Sequence, residues 1–339
     1  MSESAVRDLD RYTDQPDDRV VTRSVPAAPG PSRPVRPPAL RPGDRVRLVS
    51  PAGPPDPAAV RRGVELLRGW GLEVELAPHA LGRHGYYAAP DTDRLADLNA
   101  ALADPDVRAV ICTRGGYGVQ RIVDGLDVEA VRRDPKPVVG FSDITALQLA
   151  LWRAAGLVTV HGPMAAWNDD RTGPDSAESL RAALMTDRPA VLVRDPAEPG
   201  AAVEVPGRAE GRLLGGNLSL LHASLGTPDL PDLRGAILFL EEVNEEPYRI
   251  DRMLTNLRRA GALDGIAGVA LGQFTDCTDT PGTQVLEEVL ADRLGDLGVP
   301  VLAGLPAGHG SGQLTIALGV PAVLDTTTAT LTVESGVRI

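Results

Sequence analysis

The chain has 339 residues, 43% of them hydrophobic, a formal net charge of -12 and a mean hydropathy of -0.07. That size suits two ordinary domains, and the acidic balance excludes general affinity for nucleic acid or an anionic membrane surface. No run approaches the roughly 20 apolar residues of a membrane span. The charged N-terminus MSESAVRDLDRYTDQPDDR has no apolar h-region and is not expected to be a secretory leader, and two cysteines, Cys112 and Cys277, are too few for a disulfide framework, so a reduced cytoplasmic setting is expected.

Residues 1–43 hold eight of the 30 prolines among Arg, Asp and Ser and are expected to be a disordered tail. Order is predicted from residue 44. Arg45–Ser50 alternates as a strand, and Ala58–Trp70 places Val60, Val64, Leu67 and Trp70 at helical spacing before Gly71. A strand over Leu72–Leu76, a helix over Asp91–Ala103 and buried strands over Val107–Cys112 and Val138–Phe141 follow. Alternation of this kind predicts an N-terminal α/β domain with a parallel sheet over 44–165. Residues 166–209, rich in Asp, Pro, Gly and Ala with one helix near Ala177–Met185, read as an inter-domain connection. Beyond them, short β runs (Ala236–Leu240, Gly268–Phe274, Gln313–Leu318, Ala322–Asp325, Thr330–Glu334) and helices over Tyr248–Ala260 and Thr283–Leu294 predict a C-terminal β-rich α+β domain, barrel-like, over 210–339.

Four stretches carry chemistry. In PVVGFSDIT (137–145) a strand runs into Gly140 and a helix begins after Ser142. A serine at such a turn serves either as a nucleophile beside helix N–H groups or as a simple N-cap. RGGYG (114–118) follows a neighbouring strand; it lacks a phosphate-loop pattern but its glycines let backbone approach Ser142. A hydroxyl needs a base, and of five histidines His309, flanked by glycines in LPAGHG (305–310), is the first choice and His161 in VHGP the second, with His222 read as packed. Glu241, after the apolar run AILFL, needs a partner if buried, which a histidine or Arg249 or Arg252 would supply; Glu242, on the opposite face, is expected in solvent. No H-E-x-x-H or comparable ligand pair occurs, so neither metal nor other cofactor is expected.

The blocks RGGYG, GFSDIT (140–145), HGP (161–163), GGNL (215–218), LFLEEVNEEPYRIDRML (238–254), GQFTDC (272–277) and LPAGHG together resemble the LD-carboxypeptidase family, serine peptidases with a Ser-Glu-His triad related to microcin-immunity carboxypeptidases. The likeness spans about residues 44–335. It implies Ser142 as nucleophile, Glu241 as triad carboxylate, His309 as base, and the N–H groups of Asp143 and Gly116 as oxyanion donors. It further implies a homodimer acting without metal on a murein tetrapeptide to release its terminal D-alanine in peptidoglycan recycling. Arg114, next to the oxyanion loop, is the candidate for the substrate carboxylate. The region 165–205 lacks the long insertion of the microcin-immunity branch, although Trp167 offers a surface for a nucleoside. The alternatives are therefore an immunity-type amidase acting on aminoacyl-nucleotide analogues, and a non-catalytic peptide-binding protein.

Overall fold

The computed structural model describes residues 33–168, 171–278 and 284–339. The chain first builds β1 (Arg45–Val49), α1 (Pro57–Gly69), β2 (Glu73–Leu76), α2 (Asp91–Ala103), β3 (Val107–Cys112), α3 (Val128–Arg133), β4 (Val138–Gly140), α4 (Thr145–Ala155) and β5 (Thr159–His161). The five strands are parallel in the order β2-β1-β3-β4-β5. Their apolar sequences follow from burial on both faces, one against Leu98, Leu102, Leu147 and Leu151 of α2 and α4, the other against Val60, Val64 and Leu67 of α1. In an open sheet of this kind, ligands meet the carboxyl ends of the strands, and β3 and β4 end at the 114–118 and 141–144 turns.

The remainder forms α5 (Pro174–Met185), β6 (Ala190–Val193), β7 (Glu204–Val205), β8 (Arg208–Asn217), α6 (Leu218–Ala223), β9 (Ala236–Val243), α7 (Pro247–Arg259), β10 (Gly268–Thr275), α8 (Leu286–Leu294), β11 (Val301–Leu302), β12 (Ile316–Leu318), β13 (Pro321–Asp325) and β14 (Thr330–Val333). Eight of these strands make a mixed sheet in the order β6-β14-β13-β8-β9-β10-β11-β7. β6 and β7 lie at opposite ends without pairing, so the expected barrel is an open sheet among the described residues. β9 runs through its centre. By strand alternation Leu238 and Leu240 pack toward Ile250, Leu254 and Leu257 of α7, whereas Ile237 and Phe239 pack toward Ile316 and Leu318 of β12.

The two halves are stitched together. β12, expected in the C-terminal unit, pairs antiparallel with β5 (Ile316 opposite His161) and becomes an edge of the first sheet. The 166–209 stretch is more than a connection, because it supplies α5 and both edge strands of the second sheet. The expected tail also needs correction at its end. Val35 N donates to Gly156 O at 2.7 Å, Ala39 N to Arg338 O at 2.9 Å and Leu40 N to Leu184 O at 2.8 Å, and Leu40 is buried. Prolines had argued against structure there, yet an extended proline-containing segment can still lie along a surface through its remaining N–H and C=O groups. Residues 1–32 of that expected tail lie outside the described residues.

The GGN end of β8 shows how tight the central pairing is. Gly215 and Gly216 have φ of 137° and 140°, and a Cβ on Gly215 would stand 1.9 Å from Phe239 O. Only glycine fits both conditions. Gly215→Ala is expected to destabilise the fold by at least about 3 kcal/mol, read as a lowered urea midpoint; a midpoint equal to wild type contradicts this packing.

Candidate active site

Backbone geometry sets Ser142 apart. Phe141 leaves β4 fully extended, Ser142 turns to φ 64°, and Asp143 and Ile144 close a short 3₁₀ turn into α4. Positive φ in a serine costs roughly 1–2 kcal/mol and persists only where the surroundings enforce it. Two contacts do so. The buried Asp143 carboxylate accepts from Val119 N at 2.9 Å, tying the turn to the loop after β3; burial raises its pKa, partly offset by that hydrogen bond. Gly115 of that loop lies directly against the serine: a Cβ there would come 2.7 Å from Ser142 Cβ, 2.9 Å from Oγ and 3.3 Å from Asp143 N. Of the two glycines it is Gly115 whose Cβ direction abuts Ser142, whereas a Cβ on Gly116, the expected oxyanion donor, would stand 3.3 Å from Gly53.

Glu241 and His309 meet. His309 Nδ1 lies 2.6 Å from Glu241 Oε2; the carboxylate is fully buried and the imidazole 10% exposed. With Nδ1–H donating to the carboxylate, the lone pair of a neutral imidazole lies on Nε2. The competing ion pairs do not form: Arg249 lies 3.7 Å from Glu245 and Glu246, and its guanidinium and that of Arg252 lie over the Tyr248 ring. Phe141, the residue before Ser142, packs its ring edge-on to His309 with centroids 4.7 Å apart, which brings the serine turn and the imidazole onto one wall.

Glu242 corrects its expectation. It is 2% exposed and accepts from Ser219 N and Oγ at 2.8 and 2.7 Å, Asn217 Nδ2 at 3.0 Å and Val243 N at 2.9 Å. Burial raises its pKa against those hydrogen bonds. Strand alternation put the two glutamates on opposite faces correctly; what it did not reveal was α6 covering the second face.

His161, the second-choice base, is fully buried, and neither ring nitrogen has a partner among the described residues. Burial drives its pKa down to about 4, so it is neutral at pH 7. It packs edge-on to Phe239 (5.1 Å) and beside Phe141 (5.7 Å), as an aromatic filler between the sheets. His222 is half-buried, with Nε2 3.0 Å from Asn256 Nδ2.

A cleft of about 410 Å³ opens here, lined by Thr113, Arg114, Phe141, His309, Arg171 and Gln313 among others. Arg114 is exposed and reaches Pro54 O at 3.3 Å. Trp167 is buried at 6% exposure within the core around α1 and α5, so it presents no free face to a nucleoside.

Gln273 escaped sequence reasoning. Fully buried, it donates from Nε2 to Ser311 O (3.0 Å) and Glu198 Oε1 (2.6 Å), while Oε1 accepts from Gly310 N (2.9 Å). It thus holds the loop that presents His309. Its only sequence signal is a polar residue inside the apolar strand β10.

Comparison with known proteins fits this geometry. Family models described as the LD-carboxypeptidase N-terminal and C-terminal domains match residues 46–162 and 210–324. The chain belongs to the LD-carboxypeptidase family. It is accordingly a serine carboxypeptidase. A putative carboxypeptidase of Streptomyces coelicolor is 50% identical over 305 residues, covering 88% of this chain and 96% of that protein. A probable murein peptide carboxypeptidase of Bacillus subtilis is 39% identical, covering 89% and 95%. Among solved structures, MccF in complex with glutamyl sulfamoyl guanosine superposes with a TM-score of 0.79 at 24% identity, covering 89% of this chain and 98% of that one. Muramoyltetrapeptide carboxypeptidase from Oxalobacter formigenes gives 0.76 at 29% identity, covering 87% and 100%.

Two outcomes check the site. Gly115→Ala is expected to lower kcat/KM roughly 100-fold by crowding Ser142 Oγ; wild-type kinetics contradict the close approach. His161 gives a pH signature. Its folded pKa lies below the unfolded value, so between about pH 6.5 and 4 the unfolded chain binds the extra proton and stability falls as pH falls. Relative to His161→Phe, wild type is expected to lose about 2 kcal/mol more unfolding free energy between pH 7 and 5; equal losses in urea titrations exclude a buried neutral imidazole.

Proposed function

We propose that the protein releases the terminal D-alanine of a murein tetrapeptide by serine-type hydrolysis of an L,D amide bond, in a cytoplasmic setting. The observation that carries this reading is the 2.6 Å contact between His309 Nδ1 and the fully buried Glu241 carboxylate, with Phe141, the residue before the positive-φ Ser142, packed on the His309 ring. A probable murein peptide carboxypeptidase at 39% identity favours the murein substrate. In this reading His309 Nε2 takes the proton of Ser142 Oγ as Oγ adds to the carbonyl carbon. Glu241 holds the ring and stabilises the imidazolium. The Asp143 N–H and an N–H of the Gly115-Gly116 turn receive the developing oxyanion, each worth about 3 kcal/mol. His309 then protonates the departing amine nitrogen, and a water repeats the sequence in reverse to free the acyl group from Ser142. Arg114 takes the α-carboxylate of the leaving residue.

Burial of Trp167 weighs against the nucleoside-directed alternative, because that ring is committed to the core. Ser142→Ala is expected to lose at least about 1,000-fold in D-alanine release from murein tetrapeptide while unfolding at the wild-type temperature or above it. The wild type is expected to keep full activity in EDTA. Turnover by the alanine variant, or hydrolysis of an aminoacyl-sulfamoyl nucleoside in preference to the tetrapeptide, sinks the reading.

A further inference from the structure

The contact between Glu241 and His309 uses only half of the carboxylate. Oε2 meets His309 Nδ1, whereas Oε1, also buried, is the one buried carboxylate oxygen without a hydrogen-bond partner among the described residues. His161 has the complementary need. Its ring is fully buried, its nitrogens have no partner among the described residues, and as a neutral imidazole it carries one N–H to donate. The two groups share one enclosure. Phe239 and Glu241 project from the same face of β9, and the His161 ring packs edge-on to Phe239 with centroids 5.1 Å apart. Phe141 closes another side, its ring 5.7 Å from that of His161 and 4.7 Å from that of His309. The His161 ring accordingly feels the charges of both Glu241 and His309. An acceptor and a donor held away from solvent in such an enclosure each cost stability unless something joins them. They do not bond directly, and one water is the smallest group that both receives a hydrogen bond and gives one.

We infer that one internal water accepts from a His161 ring N–H and donates to Glu241 Oε1, which makes His161 a positioning residue for the catalytic pair. The inference rests on the serine-hydrolase reading above and deepens it: the relay from Ser142 through His309 to Glu241 continues through the water to His161, and so to β5 of the first sheet. The consequence falls on Glu241. Hydrogen bonds on both oxygens fix the plane of the carboxylate and spread its charge, whereas a carboxylate held at Oε2 alone is free to swing and misdirect the His309 ring as Ser142 gives up its proton. His161 touches no substrate and exchanges no proton in the reaction. Its burial keeps it neutral at pH 7, so its N–H is always available to the bridge.

Two readouts need no substrate. A crystal structure of the wild-type enzyme, which depends on no variant folding, is expected to show one water within hydrogen-bond distance of both Glu241 Oε1 and a His161 ring nitrogen; no water density there overturns the bridge. His161→Phe keeps a ring of similar bulk and loses the N–H. Its His309 Nδ1–H proton resonance is expected to lie downfield of the wild-type position, because Oε2 then carries more of the carboxylate charge. An unchanged position overturns the inference. The third readout is D-alanine release from murein tetrapeptide. His161→Phe is expected to lose roughly tenfold in kcat with KM within about twofold of wild type, as the loss of one hydrogen bond to a buried charged group implies. His161→Asn and His161→Gln place an amide N–H near one or the other ring nitrogen, and one of them is expected to recover most of that loss. Recovery in neither overturns the bridge. Where the wild type does not cleave the tetrapeptide, the proposed reaction falls, while the water density and the resonance still decide the bridge.

Discussion

A carboxylate with no solvent exposure is the constraint around which this structure is arranged. Glu241 sits at the end of a strand buried on both faces, where an ionised group without a partner is prohibitively costly. The His309 imidazole meets that demand at one carboxylate oxygen, Oε2, and in doing so becomes fixed in ring orientation, while Oε1 has no partner among the described residues. The rest of the site supports the contact: Gln273 holds the histidine loop from β10, and Phe141 caps the ring from the serine turn. Replacing Glu241 alone would leave His309 without its anchor, so the effect of a change at either residue belongs to the pair.

The sheets are joined closely enough to make this arrangement rigid. β12 leaves the C-terminal half to pair with β5, and residues 35–40 lie against Gly156, Leu184 and Arg338. His161 is central to that junction: it pairs across β4 with Gly140, two residues before Ser142, and across β12 with Ile316, while its ring rests on Phe239. It supplies bulk and shape where a charged imidazole would be unfavourable, which separates it from His309 despite their proximity.

Much of this was legible in the residues. The helix over Asp91–Ala103 appears with the expected bounds, and the strand Val107–Cys112 likewise, because apolar spacing and burial agree there. Period-two alternation separated Glu241 from Glu242. The failures have a common physical origin in contacts distant along the chain. The covering of Glu242 by Ser219 and Asn217 depends on α6 folding back over β9. β6 and β7 are too short to stand out among polar and glycine-rich neighbours, and they exist as strands because β14 and β11 offer them edges. Trp167 read as an exposed aromatic because nothing local shows that α1 and α5 enclose it. That a Cβ on Gly115 would abut Ser142 is likewise a contact that spacing within RGGYG does not carry.

The pairing of Glu241 with His309 can be observed directly as the proton it traps. A proton NMR spectrum of the folded enzyme near neutral pH is expected to show an imidazole Nδ1–H resonance far downfield of the backbone amides, absent from both Glu241→Gln and His309→Ala. No such resonance in the wild type, or one that survives Glu241→Gln unchanged, would contradict the account at its centre.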